Sequence, residues 1–178
     1  MKNEYEVRGD ITAIFLKYKG EVLETLINTS QLNKVKEFYR GYTIIAQYKA
    51  EVGSHYAAGR VRREDKTTYA YLHRVIKNFP DKLKVDHWDN NTLNNTDDNL
   101  RIVTNAQNMQ NRKGRNSNNT SGIRGVSFNK EKQKWKAQLE VNGVQKHIGY
   151  FLYEKDAKEA IEKARIEHHP YSIKQEEL

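Results

Sequence analysis

The sequence predicts an α+β protein assembled from small parts, on three observations. β-Branched and aromatic residues recur in short runs separated by polar turns over residues 1–70. Residues 85–111, VDHWDNNTLNNTDDNLRIVTNAQNMQN, read as a short strand, a polar loop, a second short strand and an Asn-rich helix. Strict alternation in Lys134–Val141, followed by a helical pattern from Glu154, marks a sheet covered by one helix. The expected parts are a small antiparallel β module (1–70), a central motif (71–113), a polar linker (114–122) and a C-terminal three-stranded sheet plus helix (123–170).

Composition favours several small modules over one large core. Hydrophobic residues make up 37% of the 178 residues, and the mean hydropathy is −0.96. A net charge of +8 and a pI near 9.5 suit a polyanionic partner, of which nucleic acid is the commonest. There is no cysteine, which excludes disulfides and zinc knuckles and favours an intracellular setting. No apolar run spans a membrane, and the acidic residues in MKNEYEVRGD argue against a secretory signal.

In the β module, residues 11–28 predict a hairpin turning at Lys19-Gly20. Residues 30–39 form a short helix or an irregular link. The runs YTIIAQY, HYAAGRV and TTYAYL supply further strands. Arg60, Arg62 and Arg63 either contact phosphate or decorate a solvated turn. A short helix begins at Leu72 and stops before Pro80. His73, on its apolar face, could approach DNA or support the active site, but is expected to be a satisfied packing residue and is not assigned to a metal.

Within 85–111, Val85, Leu100, Ile102 and Val103 are the apolar pins. Between them stand His87, whose type titrates near neutral pH, and carboxylate and amide oxygens suited to magnesium or manganese. The stretch resembles the HNH nucleases, whose ββα-metal motif has this order of parts. The resemblance implies that Asp86 is a metal ligand and His87 the general base. It implies that Asn99 braces the loop and that Asn108 is the second ligand, with Asn in place of the family's last His. Where the family often has Gly in the turn after the Asp-His pair, this chain has Asn90, which tolerates a left-handed backbone.

After the motif, residues 112–122 are basic, then small and polar, and read as a linker that could follow a phosphate backbone. Beyond it, Ile123–Phe128 reads as a strand. In KWKAQLEV, Trp135, Ala137, Leu139 and Val141 face one way and Lys134, Lys136, Gln138 and Glu140 the other. Asn142-Gly143 is a hairpin turn, 144–151 the return strand, and 154–168 a helix with Ala157, Ala160, Ile161 and Ala164 on one face. With Arg124-Gly125-Val126, Trp135-Lys136-Ala137-Gln138-Leu139 and His147-Ile148-Gly149-Tyr150-Phe151, the unit resembles the Apetala-two DNA-binding domain. That resemblance implies a sheet lying in the major groove. Arg124, Ser127, Asn129, Lys134, Lys136, Gln138, Glu140, Gln145, Lys146 and His147 are its expected DNA-facing residues.

Together the two resemblances imply a site-specific homing-type DNA endonuclease using Mg2+ or Mn2+. It would act on double-stranded DNA in the cytoplasm of a bacterial or phage-infected cell. Its products would carry 5′-phosphate and 3′-hydroxyl ends. The alternative is a DNA-binding regulator with an inactive nuclease core. Oligomeric state stays open, with a monomer the simplest expectation.

Overall fold

The computed structural model describes residues 1–63, 66–111, 119 and 121–172. They form an α+β chain of four small antiparallel sheets and short helices, divided into two compact units, 1–104 and 105–178.

The first unit begins with a meander of β1 (Tyr5–Arg8), β2 (Ile11–Tyr18) and β3 (Glu21–Asn28). Lys19 (φ 47°) and Gly20 (φ 90°) make the tight β2–β3 turn, as the turn chemistry predicts. A 3-10 turn and the helix α1 (Leu32–Phe38) follow. The second sheet is β4 (Ile44–Lys49), β5 (Ser54–Arg63) and β6 (Lys66–Tyr71), and β6 runs directly into α2 (Leu72–Ile76). Asn3 ties the two sheets together: its carboxamide donates to the carbonyls of Phe15 and Ile44 and accepts from the Ile44 amide.

One core runs through this unit. Ile14, Leu16 and Ile27 of the first sheet pack with Val35 and Tyr39, with Ile44, Ala57 and Val61 of the second, and with Leu72, Val75 and Ile76 of α2. Leu100 closes the same cluster, and Val85 and Leu93 pack against it. The boundary expected at residues 70–71 therefore falls inside a continuous core, and the unit extends to Thr104. A two-stranded ribbon, β7 (Lys84–His87) with β8 (Leu100–Val103), sits on this base. Leu100 and Val103 are buried, whereas Ile102, expected as an apolar pin, is exposed.

The second unit holds α3 (Asn105–Gln110), then β9 (Val126–Asn129), β10 (Lys134–Val141), β11 (Val144–Phe151) and α4 (Glu154–His168). The expected sheet-plus-helix is present, with β10 central. Ala157, Ile161 and Ala164 of α4 pack on Val126, Ala137 and Leu139. Asn142 (φ 53°) and Gly143 (φ 80°) form the hairpin turn. Of the expected linker, residues 112–118 and 120 lie outside the described residues. Asn119 and Ser121, also in that span, bind the carbonyls of Ile123 and Val126, so they belong to the edge of the folded sheet. Among the described residues, no helix is long and apolar enough to cross a membrane.

Close packing makes one glycine testable. Gly59 faces the core on β5, between Ile44 and Ala70. A Cβ there would lie 2.6 Å from two ring carbons of Tyr39, which is fully buried and donates its hydroxyl to the Ala70 carbonyl. Gly59→Ala is expected to destabilise the chain by about 1–3 kcal/mol through overpacking. Urea unfolding measures this, and an unchanged midpoint would mean that the ring moves aside at no cost.

Candidate active site

The candidate site lies at the end of β7, where the ribbon meets its loop. His87 is the last residue of the strand and is buried. Its amide neighbour Trp88 donates back to the Asn99 carbonyl, 2.9 Å, and Asn90 donates to the His87 carbonyl, 3.1 Å. Asn90 has φ 60°, so the turn takes the left-handed backbone that glycine or asparagine accommodates best.

Two asparagines organise the loop. Asn99 accepts from the Asp89 amide (2.9 Å) and donates to the Asn94 carbonyl (2.7 Å), joining the loop's two ends. Asn95, almost fully buried, reaches the His87 ring, with Oδ1 3.2 Å from Nε2. The Asn95 Nδ2 donates to Thr25 Oγ1 (2.8 Å), and that hydroxyl donates to the Leu93 carbonyl (2.8 Å). This sequence of donors fixes the amide orientation. The acceptor oxygen therefore faces His87, its Nε2 carries the proton, and Nδ1 is the basic nitrogen.

The loop is also pinned to the edge of the first sheet. Leu26 on β3 donates to the Leu93 carbonyl and accepts from the Asn95 amide. Asn28 accepts from the Asp97 amide, and Asp97 takes hydrogen bonds from Gln31 and Lys77. Thr25, Asn28 and Asn95 were not among the residues that the sequence singled out. Their partners lie roughly 70 positions apart in the chain, a separation that local patterning does not register.

Asp86 stands beside His87 on the ribbon. Its Oδ2 receives Nε (2.9 Å) and Nη2 (2.7 Å) of Arg101, the residue opposite it on β8. The Arg101 guanidinium also lies 4.1 Å from the centre of the Trp88 ring. Behind His87 is a cluster of rings. His73 of α2 meets it edge-on at 5.2 Å and stacks on Tyr71 at 5.6 Å, while Tyr56 lies 6.0 Å from His87. His73 packs as expected, but its Nδ1 is buried without a hydrogen-bond partner among the described residues. Asn108 lies on α3, in the second unit. Among the described residues, no group of three or more His, Cys, Asp or Glu is arranged to hold a metal.

Burial lowers both histidines. For His73, burial comes first and the neighbouring His87, Arg74 and Lys49 add to it, pushing the pKa down to about 3. For His87 burial again dominates, opposed by the Asn95 hydrogen bond and by Asp86 and Asp89. Both rings are therefore neutral near pH 7, and a neutral imidazole can accept a proton.

In the second unit the register sorts the expected DNA-facing residues. Ser127 pairs with Lys136, Asn129 with Lys134, Gln138 with His147 and Glu140 with Gln145, which puts all eight on the face away from α4. Lys146 differs. It alternates with Gln145 and His147, ahead of the bulge at Ile148 that brings Gly149 opposite Ala137, and so pairs with Leu139 on the helix side. There its Nζ lies 2.6 Å from His168 Nε2. Arg124 precedes β9 and donates to the carbonyls of Met109 (2.9 Å) and Gln110 (3.3 Å) at the end of α3. Gly125, next to it, has φ 83°, and a Cβ there would sit 2.6 Å from the Gln138 carbonyl oxygen.

The buried histidines give a pH dependence whose sign follows from linkage. The unfolded chain, with His near 6.5, binds protons that the folded rings refuse. Stability is therefore highest above about pH 6.5 and falls as the pH drops below it. For His73 the loss continues to about pH 3. The slope tends toward about 1.4 kcal/mol per pH unit per histidine. His73→Phe keeps a ring in the cluster and removes one titration, so its urea midpoint should fall less between pH 7 and pH 5 than that of the wild type. Parallel curves for the two proteins would show that His73 is protonated at no cost in the fold.

Comparisons with known proteins give a limited likeness. No family model matches the chain, and no solved structure matches it. The chain is similar to Protein 3.8 of Escherichia phage T7, with 39% identity over 67 residues, or 38% of this chain and 54% of that protein. The chain thus spans about half the length of the curated relative it matches.

Proposed function

We propose that the chain is a metal-dependent, site-specific DNA endonuclease of the HNH homing type, with β7, β8 and α3 as its ββα-metal motif. The observation that carries this is the setting of His87. A neutral imidazole with Nδ1 as its basic nitrogen is held at a strand end, next to a carboxylate, in a loop braced from both sides. In this role His87 takes a proton from the water that attacks phosphorus in line, and Asn95 and Asn99 hold the ring and the loop in place. This reading sets the activity in the cytoplasm of a bacterial or phage-infected cell, and likeness to a phage protein is compatible with a phage origin.

The donor chemistry fits a hard divalent cation, Mg2+ or Mn2+. Asp86 offers a carboxylate and Asn108 an amide oxygen, and magnesium takes few protein ligands because water and substrate phosphate complete its shell. Bound there, the cation would offset charge on the phosphate and on the leaving 3′-oxygen, giving 5′-phosphate and 3′-hydroxyl ends. The polar face of β9–β11, with Lys134, Lys136, Gln138 and His147, supplies site choice on double-stranded DNA. One observation favours the second reading, a DNA-binding regulator with an inactive core: Arg101 already occupies an oxygen of Asp86.

Two experiments separate the readings. Supercoiled plasmid incubated with the purified chain should be nicked or linearised with magnesium and left intact with chelator. His87→Ala should slow cutting by ~10²–10⁴-fold while sparing binding. Wild-type rates in that variant would remove His87 from the chemistry. Asp86→Ala and Asn108→Ala should each raise the magnesium concentration needed for half-maximal cutting, since each deletes an oxygen ligand. Unchanged titrations in both would rule out the ligand pair, and no cutting by the wild type in either metal would favour the regulator.

A further inference from the structure

The second sheet carries a basic, aromatic face that the site description does not use. Strands β4, β5 and β6 contain Lys49, Arg60, Arg62, Arg63 and Lys66 and no Asp or Glu. Their inward face is apolar: Ile44, Ala46, Ala57, Val61 and Ala70 join the core. By register, the opposite face presents Lys49, Tyr56, Arg60 and Arg62 with Tyr69 and Tyr71 across from them. Arg60, Arg62 and Tyr69 are exposed.

Among the described residues, Lys49 and Arg60 are ordered by neighbouring tyrosines rather than by acids. Arg60 lies against the Tyr69 ring, 5.8 Å from its centre, and gives its Nε to the Tyr69 hydroxyl at 3.2 Å. That leaves both of its Nη groups without a protein partner among the described residues. Lys49 Nζ sits 4.4 Å from the centre of the Tyr71 ring and 5.3 Å from that of Tyr56. Neither Lys49, Arg60 nor Arg62 makes an ion pair among the described residues. The nearby carboxylate, Asp86, is held by Arg101.

The face also has a direction. Arg62 and Arg60 are two residues apart on one side of β5, roughly 7 Å, comparable with neighbouring phosphates on one nucleic-acid strand. Tyr56 follows about 14 Å further along the same face. From Tyr56 the rings continue without a break to His87, at 6.0 Å, and through Tyr71 and His73 to the same ring.

We infer that the outer face of β4–β6 is a docking track for the phosphate backbone of duplex DNA, leading one strand from Arg62 and Arg60 to His87. This rests on the nuclease reading for its purpose and on charge complementarity for its occupant. An anionic membrane is the weaker fit, because the exposed part of the face is Arg, Thr and Tyr with no aliphatic side chain to insert. Phosphate contacts position a duplex without reading it, so the track contributes equally on every sequence.

The test is binding of the full chain to a labelled duplex in metal-free buffer across a sodium chloride series. Arg60→Ala/Arg62→Ala should weaken binding to specific and random duplexes by the same factor. The slope of log K against log salt should become shallower by about 1.8, the share of two phosphates. Arg60→Lys/Arg62→Lys should keep the wild-type slope. Arg60→Gln/Arg62→Gln preserves side-chain length and gives the same reading as alanine should alanine disturb the strand. An unchanged slope in both neutral variants overturns the track. So does loss of binding to equimolar phosphatidylcholine–phosphatidylserine vesicles with duplex binding intact, which would assign the face to a membrane. Because binding is read without metal, a chain that never nicks plasmid yet shows the slope change retires the nuclease and keeps the track. Normal nicking with an unchanged slope does the reverse.

Discussion

Thr25 has one hydroxyl proton, and it is committed to the Leu93 carbonyl. Its oxygen can then only accept from Asn95, so the carboxamide must turn its own oxygen toward His87. Through two side chains, a threonine on β3 decides which nitrogen of a histidine on β7 keeps its proton. Thr25 and Asn95 are both buried, where an unpaired polar group is costly, so the alternative amide orientation is disfavoured twice over. The loop from Trp88 to Asn99 has little apolar content of its own. It is ordered because β3 lends it an edge and because Asn99 joins its ends.

Much of this was legible in the sequence because local chemistry writes it there. Lys19-Gly20, Asn142-Gly143 and Asn90 adopt the left-handed turns their side chains allow. The alternation of KWKAQLEV appears as a buried face on Ala137 and Leu139. Among the described residues, the expectation of a satisfied His73 fails at Nδ1 because satisfaction depends on neighbours from other elements, not on helical position. Lys146 falls on the helix side because it stands between Gln145 and His147, and alternation along the strand turns it away from both. Arg124 occupies a position that reads as DNA-facing, yet its guanidinium is spent on backbone carbonyls of α3, a partner fourteen residues back. Thr25, Asn28 and Asp97 carry no local signal at all, since their meaning comes from pairing across the fold.

Arg101 has two effects on Asp86. Its guanidinium holds the carboxylate in one orientation. The same two hydrogen bonds occupy one oxygen and lower the negative charge available at the ribbon. Stacking on Trp88 limits how far Arg101 can retreat.

Dependence of the loop on the β3 edge bears on how such a chain can be recombined. A stretch as short as residues 85–111 looks like a cassette that could be moved between proteins. Here its histidine is oriented from Thr25, its loop is tied to Leu26 and Asn28, and its strands rest on a core that begins at Ile14. Moved alone, it would carry the residues and leave behind what orients them. The sheet and helix of β9–β11 and α4 close their own core from their own residues. Exchange between chains should therefore be tolerated at that end and resisted at the other.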